Sequence, residues 1–125
     1  MKRLTLFAAM SLLAGPAVAT PESAASAASA ASTLAAISDL GQLNGQALAC
    51  GEMAIAGEAK QLVIRHAPKT RRYGETFEEQ TNTAFLAQGQ KGHEPCPATG
   101  TFSGRLDELS KRLQALLPTA PAAAR

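Results

Sequence analysis

Residues 34–50, LAAISDLGQLNGQALAC, decide how this chain folds. Ala36, Leu40, Leu43, Ala47, Cys50 and, just beyond, Ala54 recur at steps of three and four. That period returns side chains to one face of an α-helix. Asn44-Gly45 is a hairpin pair by residue type. Its flanks lack the period-two alternation of strands, so a helix is the reading. Gly41, Gly45, Gly51 and Gly57 oppose it, each costing a helix interior about 1 kcal/mol relative to Ala. Glycines this dense mark either the close approach of a second helix or breaks. The sequence leaves open whether residues 33–67 form one helix or two.

Moving outward, Ile55, Ala59, Leu62 and His66 make a second stripe, with Val63 and Ile64 beside it. Pro68 ends it, because proline has no amide donor and pushes the preceding residue out of the helical region. Lys69 to Arg72 form a basic turn. A further helix is expected from Arg72 or Tyr73, burying Tyr73, Phe77, Ala84 and Gln88, with Thr81 and Phe85 flanking. Glu75, Glu78 and Glu79 lie in its first turns, where acids complement the helix dipole, and Gly89 stops it. Residues 90–100 read as a Gly/Pro-rich loop. The last helix carries the stripe Phe102, Leu106, Leu109, Leu113, Leu116 and Leu117, with Ser103 as a cap and Asp107–Lys111 as an i,i+4 pair. Pro118 ends it. The expectation is an all-α bundle of three to four helices over residues 33–118, followed by a disordered Ala/Pro tail at 119–125.

Cys50 and Cys96 are the only cysteines, 46 positions apart, so one pairing exists. No C-x-x-C motif is present, and His93-Glu94-Pro95-Cys96-Pro97 offers no zinc spacing. In an exported chain the expected product is a structural disulfide, protected on the core side of the helix bearing Cys50. Closing so long a loop contributes roughly 4 kcal/mol by chain entropy.

Export is read from residues 1–19. Met1-Lys2-Arg3 is a short positive region, Leu4 to Leu13 is apolar, Gly15-Pro16 breaks the run, and Ala17-Val18-Ala19 supplies the small residues of a cleavage site. The apolar run is shorter than the roughly 20 residues that span a bilayer. Cleavage after Ala19 is expected, with no stable membrane insertion afterwards. The chain carries 12 basic and 10 acidic residues, and loss of Lys2 and Arg3 leaves ten of each. A neutral mature chain argues against nucleic acid as a partner. Residues 20–32 open with Thr20-Pro21-Glu22, a helix-start pattern. A Ser-Ala-Ala repeat follows, with no large side chain to bury, and the stretch reads as a tether with fluctuating helix.

Signals for catalysis are poor. Neither G-x-S-x-G nor H-E-x-x-H occurs, and oxidised cysteines cannot act as nucleophiles. The chain is therefore expected not to be an enzyme and to need no cofactor or metal. Arg65, His66, Lys69, Arg71 and Arg72 fall within eight residues and are the candidate ligand or partner site, against the plainer reading of a solvated turn balanced by nearby glutamates. His66 and His93 are the only histidines, and whether they meet is open. The layout of signal peptide, helical body and one long-range disulfide resembles that of small periplasmic acid-stress chaperones and of small secreted immunity proteins. It covers layout and cysteine separation, and no site residue is carried over from it. The expected function is binding of another protein in the cell envelope, chaperone-like or inhibitor-like. The alternative is a periplasmic small-ligand or metal-binding protein.

Overall fold

The computed structural model describes residues 21–90 and 95–117, with Gly15 as an isolated point. The expected signal segment (Gly15 apart), Thr20, His93, Pro118 and the tail at 119–125 lie outside the described residues. The described residues form four helices: α1 (Pro21–Ala49), α2 (Met53–His66), α3 (Arg71–Gly89) and α4 (Thr99–Leu116). There is no strand among the described residues. The all-α expectation holds, and the stretch at 33–67 is two helices.

Gly51 makes the break. Its φ is +76°, a left-handed conformation that glycine adopts without steric cost. The Glu52 N–H then reaches back to the Ala47 carbonyl at 2.8 Å, and the Gly51 N–H to that of Leu48 at 3.3 Å. This is the paired closure of a Schellman motif, which satisfies carbonyls left open by the end of α1.

Gly41 and Gly45 do something different. A Cβ built on Gly41 would lie 2.7 Å from both the Phe77 carbonyl oxygen and the Gln80 Cβ, and one on Gly45 would lie 2.8 Å from the Phe85 nitrogen. These two glycines let α3 press its backbone against α1. Because contacts rise together along both helices, α1 and α3 run parallel. Asn44, buried between them, donates to Thr81 Oγ1 at 3.0 Å, and Thr81 Oγ1 donates to the Phe77 carbonyl at 2.8 Å. The buried amide is thereby paired rather than stranded.

α4 runs the other way along α1. Arg105 Nη1 donates to Gln46 Oε1, and Arg112 Nη1 pairs with Asp39 Oδ2, both at 2.6 Å. The topology is up-down-up-down, with α1 as the hub. It packs on all three other helices, and α2 also packs on α4. α3 makes at most marginal contact with α2 or α4, so it leans on α1 alone.

The core follows the stripes. Ala36, Leu40, Leu43 and Ala47 are fully buried, joined by Ile37. Ile55, Ala59 and Leu62 of α2, Phe77 of α3, and Phe102, Leu109 and Leu113 of α4 meet them. Ala54 is exposed, because it belongs to a new helix after the Gly51 break. α2 ends at His66, and Ala67 is extended before Pro68, as expected. α3 begins at Arg71, slightly ahead of the expected start. α4 begins at Thr99 rather than at Ser103, which lies inside the helix; Ala98 precedes it with no side-chain cap. Thr99 Oγ1 instead donates to Glu52 Oε1 at 2.6 Å, tying the start of α4 to the α1–α2 hinge. Asp107 and Lys111 form the expected pair at 2.8 Å on the exposed face. The hydrogen bond that Lys111 donates to this partner raises its pKa above the ordinary lysine value.

Where a tether was expected at 20–32, residues 21–32 continue α1 as helix. Residues 27–32 are exposed, with nothing docked on them. Starting a helix is the costly step. Here the docked turns from Thr33 onward supply the nucleus, and alanine extends it.

Cys50 and Cys96 are joined, with Cα atoms 5.7 Å apart. The bond clasps the α1–α2 hinge to the α3–α4 connection at one end of the bundle. Cys50 is half-buried and packs against the core cluster, as expected, while Cys96 is exposed, so the bond runs from the edge of the core out to the surface.

Candidate functional site

Two helices that share a support with at most marginal contact between them leave a slot. α2 and α3 both pack on α1, and the slot between them is floored by Leu48 and Asn44 of α1. Val63 and Ile64 form the α2 wall, and Phe77 and Phe85 the α3 wall. Lys60 and Glu78 bring one charge to each side. The volume is about 550 Å³.

The groove collects apolar surface left uncovered. Ile64 is 49% exposed, Phe85 43% and Leu48 36%. They are three of the five large apolar side chains exposed among the described residues; Met53 and Leu86 are the others. Scattered apolar residues on a surface need no explanation; here three gather along one concavity. Covering the exposed parts of these three contributes roughly 2–4 kcal/mol. Ile64 lies beside the α2 stripe and Phe85 beside the α3 stripe. Flanking positions are buried only if a neighbouring helix closes over them, and here none does. That is why periodicity alone did not single these two out. The available signal was an apolar side chain just off the stripe on two successive helices.

The five basic-turn residues are spread out. Arg65 and His66 line a separate groove between α2 and α4, together with Asp107. The Lys69 ammonium donates to the Ile64 carbonyl, capping the end of α2. Arg71 pairs with Glu75 at 3.8 Å on an exposed face. Arg72 is exposed, and its carbonyl accepts from Thr76 Oγ1 at 2.8 Å. Of the five, only Arg65 and His66 share a groove. Among the described residues, no three His, Cys, Asp or Glu side chains gather as a metal centre would require. No described helix is long and apolar enough to cross a membrane.

No known protein family, curated protein or solved structure matches the chain. The fold and groove therefore define the molecule on their own: a disulfide-clasped four-helix bundle in which α3 packs on α1 alone, with an open apolar slot beside it.

Proposed function

We propose that this is an exported protein that works by binding another protein, with the α2–α3 groove receiving an apolar segment of that partner. The role is chaperone-like or inhibitor-like. The observation that carries it is the gathering of Leu48, Ile64 and Phe85 on one concave face. The disulfide adds support, since such bonds persist in oxidising compartments. The test places a photo-crosslinking residue at Ile64 or Phe85, and at exposed Glu79 as control, in protein exported by its own host. The expected result is a discrete protein adduct at each groove position, abolished at Ile64 by Phe85→Asp and at Phe85 by Ile64→Asp on the opposite wall. Equal labelling at Glu79, or no adduct at either groove position, would sink the reading.

A second reading rests on the groove's volume. About 550 Å³ falls within the range of small-molecule sites, which are mostly apolar with a few polar groups. Native mass spectrometry of the protein taken from its own compartment separates the two: a non-protein mass released by Phe85→Asp favours the small ligand.

A further inference from the structure

α3 has a second flank, and the groove there has the opposite chemistry. Between α3 and α4, over α1, a concavity of about 470 Å³ is lined by Gln42, Gln46, Gln80, Gln88 and Arg105. Ala84 and Ala87 keep the α3 wall low. This groove is distinct from the apolar one, and its chemistry is independent of whatever the apolar slot receives.

Its hydrogen bonds use up acceptors and leave donors. Arg105 Nη1 donates to Gln46 Oε1 at 2.6 Å, so the Gln46 amide N–H groups remain to donate. Gln42 Nε2 donates to Gln80 Oε1 at 3.2 Å, which leaves the Gln80 N–H groups as donors and Gln42 Oε1 as an acceptor. Arg105 is half-buried, and its partner is a neutral carboxamide. No ion pair to it occurs among the described residues, and the lining holds no acidic side chain. The other two grooves each balance their cations with a carboxylate, Glu78 in one and Glu58 and Asp107 in the other. A partly desolvated guanidinium with most of its five donors uncommitted is an anion site, and its planar fork matches a carboxylate.

We propose that the α3–α4 groove binds a free carboxylate adjacent to an amide N–H, the chemistry of an N-acyl amino acid or a peptide C-terminus. Arg105 takes the carboxylate, Gln46 and Gln80 donate to its oxygens or to the preceding carbonyl, and Gln42 Oε1 accepts the amide N–H. Gln88, whose Nε2 is 3.8 Å from Cys96 Sγ, sets the site beside the disulfide.

The test uses NMR titration of the oxidised full chain. The probes are N-acetylalanine, acetyl-tetraalanine, the C-terminal amide of each, and inorganic phosphate. Both acids are expected to shift the side-chain amides of Gln42, Gln46 and Gln80. They should bind about tenfold or more tighter than their amides, the usual weight of a charge-assisted contact. Arg105→Gln should erase that difference with the rest of the spectrum unchanged, and Arg105→Lys should keep part of it. If the glutamine variant does not fold, the acid-against-amide comparison on the unmodified protein decides. Tighter binding of the tetrapeptide assigns the site to peptide ends, and equal binding assigns it to small N-acyl amino acids. Equal affinity for acids and amides, no shift at these glutamines, or phosphate binding as tightly as the acids would overturn the proposal.

Discussion

Replacing Gly45 with alanine tests the packing on which the bundle rests. In an open helix this change stabilises by up to about 1 kcal/mol, because alanine loses less backbone entropy. At position 45 the added Cβ would stand 2.8 Å from the Phe85 nitrogen and 2.9 Å from the Ala84 Cβ, and closer still to the Thr81 carbonyl oxygen. Ordinary contact needs about 3.5–4.0 Å, so α3 must retreat by roughly 1 Å, enough to forfeit a quarter to a half of each contact along the seam. Two of these neighbours are backbone atoms and cannot rotate aside. α3 has no second helix to lean on, so the retreat also loosens Phe77 against Gly41. Overpacking of this kind costs about 1–3 kcal/mol. Net of the helix-propensity gain, Gly45→Ala should destabilise by about 1–2 kcal/mol and lower Tm by roughly 5–15 °C. Gly57 is the control: it is helical, and nothing lies within 4 Å of where its Cβ would be. Gly57→Ala should therefore stabilise. Denaturant and thermal unfolding of the two oxidised variants, followed by circular dichroism, gives both signs. The reasoning fails if Gly45→Ala proves as stable as the parent while Gly57→Ala behaves as expected.

Replacing both Cys50 and Cys96 with serine should cost about 4 kcal/mol, from the 46-residue separation and loop entropy; a denaturation midpoint close to that of the parent would show the clasp to be incidental. Gly51→Ala places a side chain in a left-handed turn at φ +76° and should cost about 1–2 kcal/mol, read from the same unfolding curves, with an unchanged midpoint counting against the Schellman closure. The Lys111 pKa is raised by its hydrogen bond to Asp107, so the small stabilisation from this pair is complete below the ordinary lysine pKa and is lost as the pH climbs through the raised one. An NMR titration should show the shift disappearing in Asp107→Asn, and a shift that survives would point to another cause.

Local periodicity determined a good deal of this protein. The stripes at Ala36–Ala47, Ile55–Leu62 and Phe102–Leu113, the stop before Pro68 and the Asp107–Lys111 pair were readable because each depends on residues within a few turns of one another. The pairing of Cys50 with Cys96 was readable because no other pairing exists. Helix starts were less legible. α4 begins at Thr99, tied to Glu52 across the bundle; α1 does begin at Pro21, within the helix-start pattern, but it runs unbroken through the stretch read as a tether, because the docked turns beyond supply its nucleus.

What only the tertiary structure decided is the meaning of the glycines and the location of open surface. Gly41, Gly45, Gly51 and Gly57 look alike in sequence, yet two are packing sites, one is a break and one faces solvent. A residue without a side chain carries no local signal of what approaches it. Likewise, Ile64 and Phe85 are apolar wherever they fall. They became walls of a groove because α2 and α3 both pack on α1 with at most marginal contact between them, and how closely two helices approach is settled by the whole packing, not by either helix.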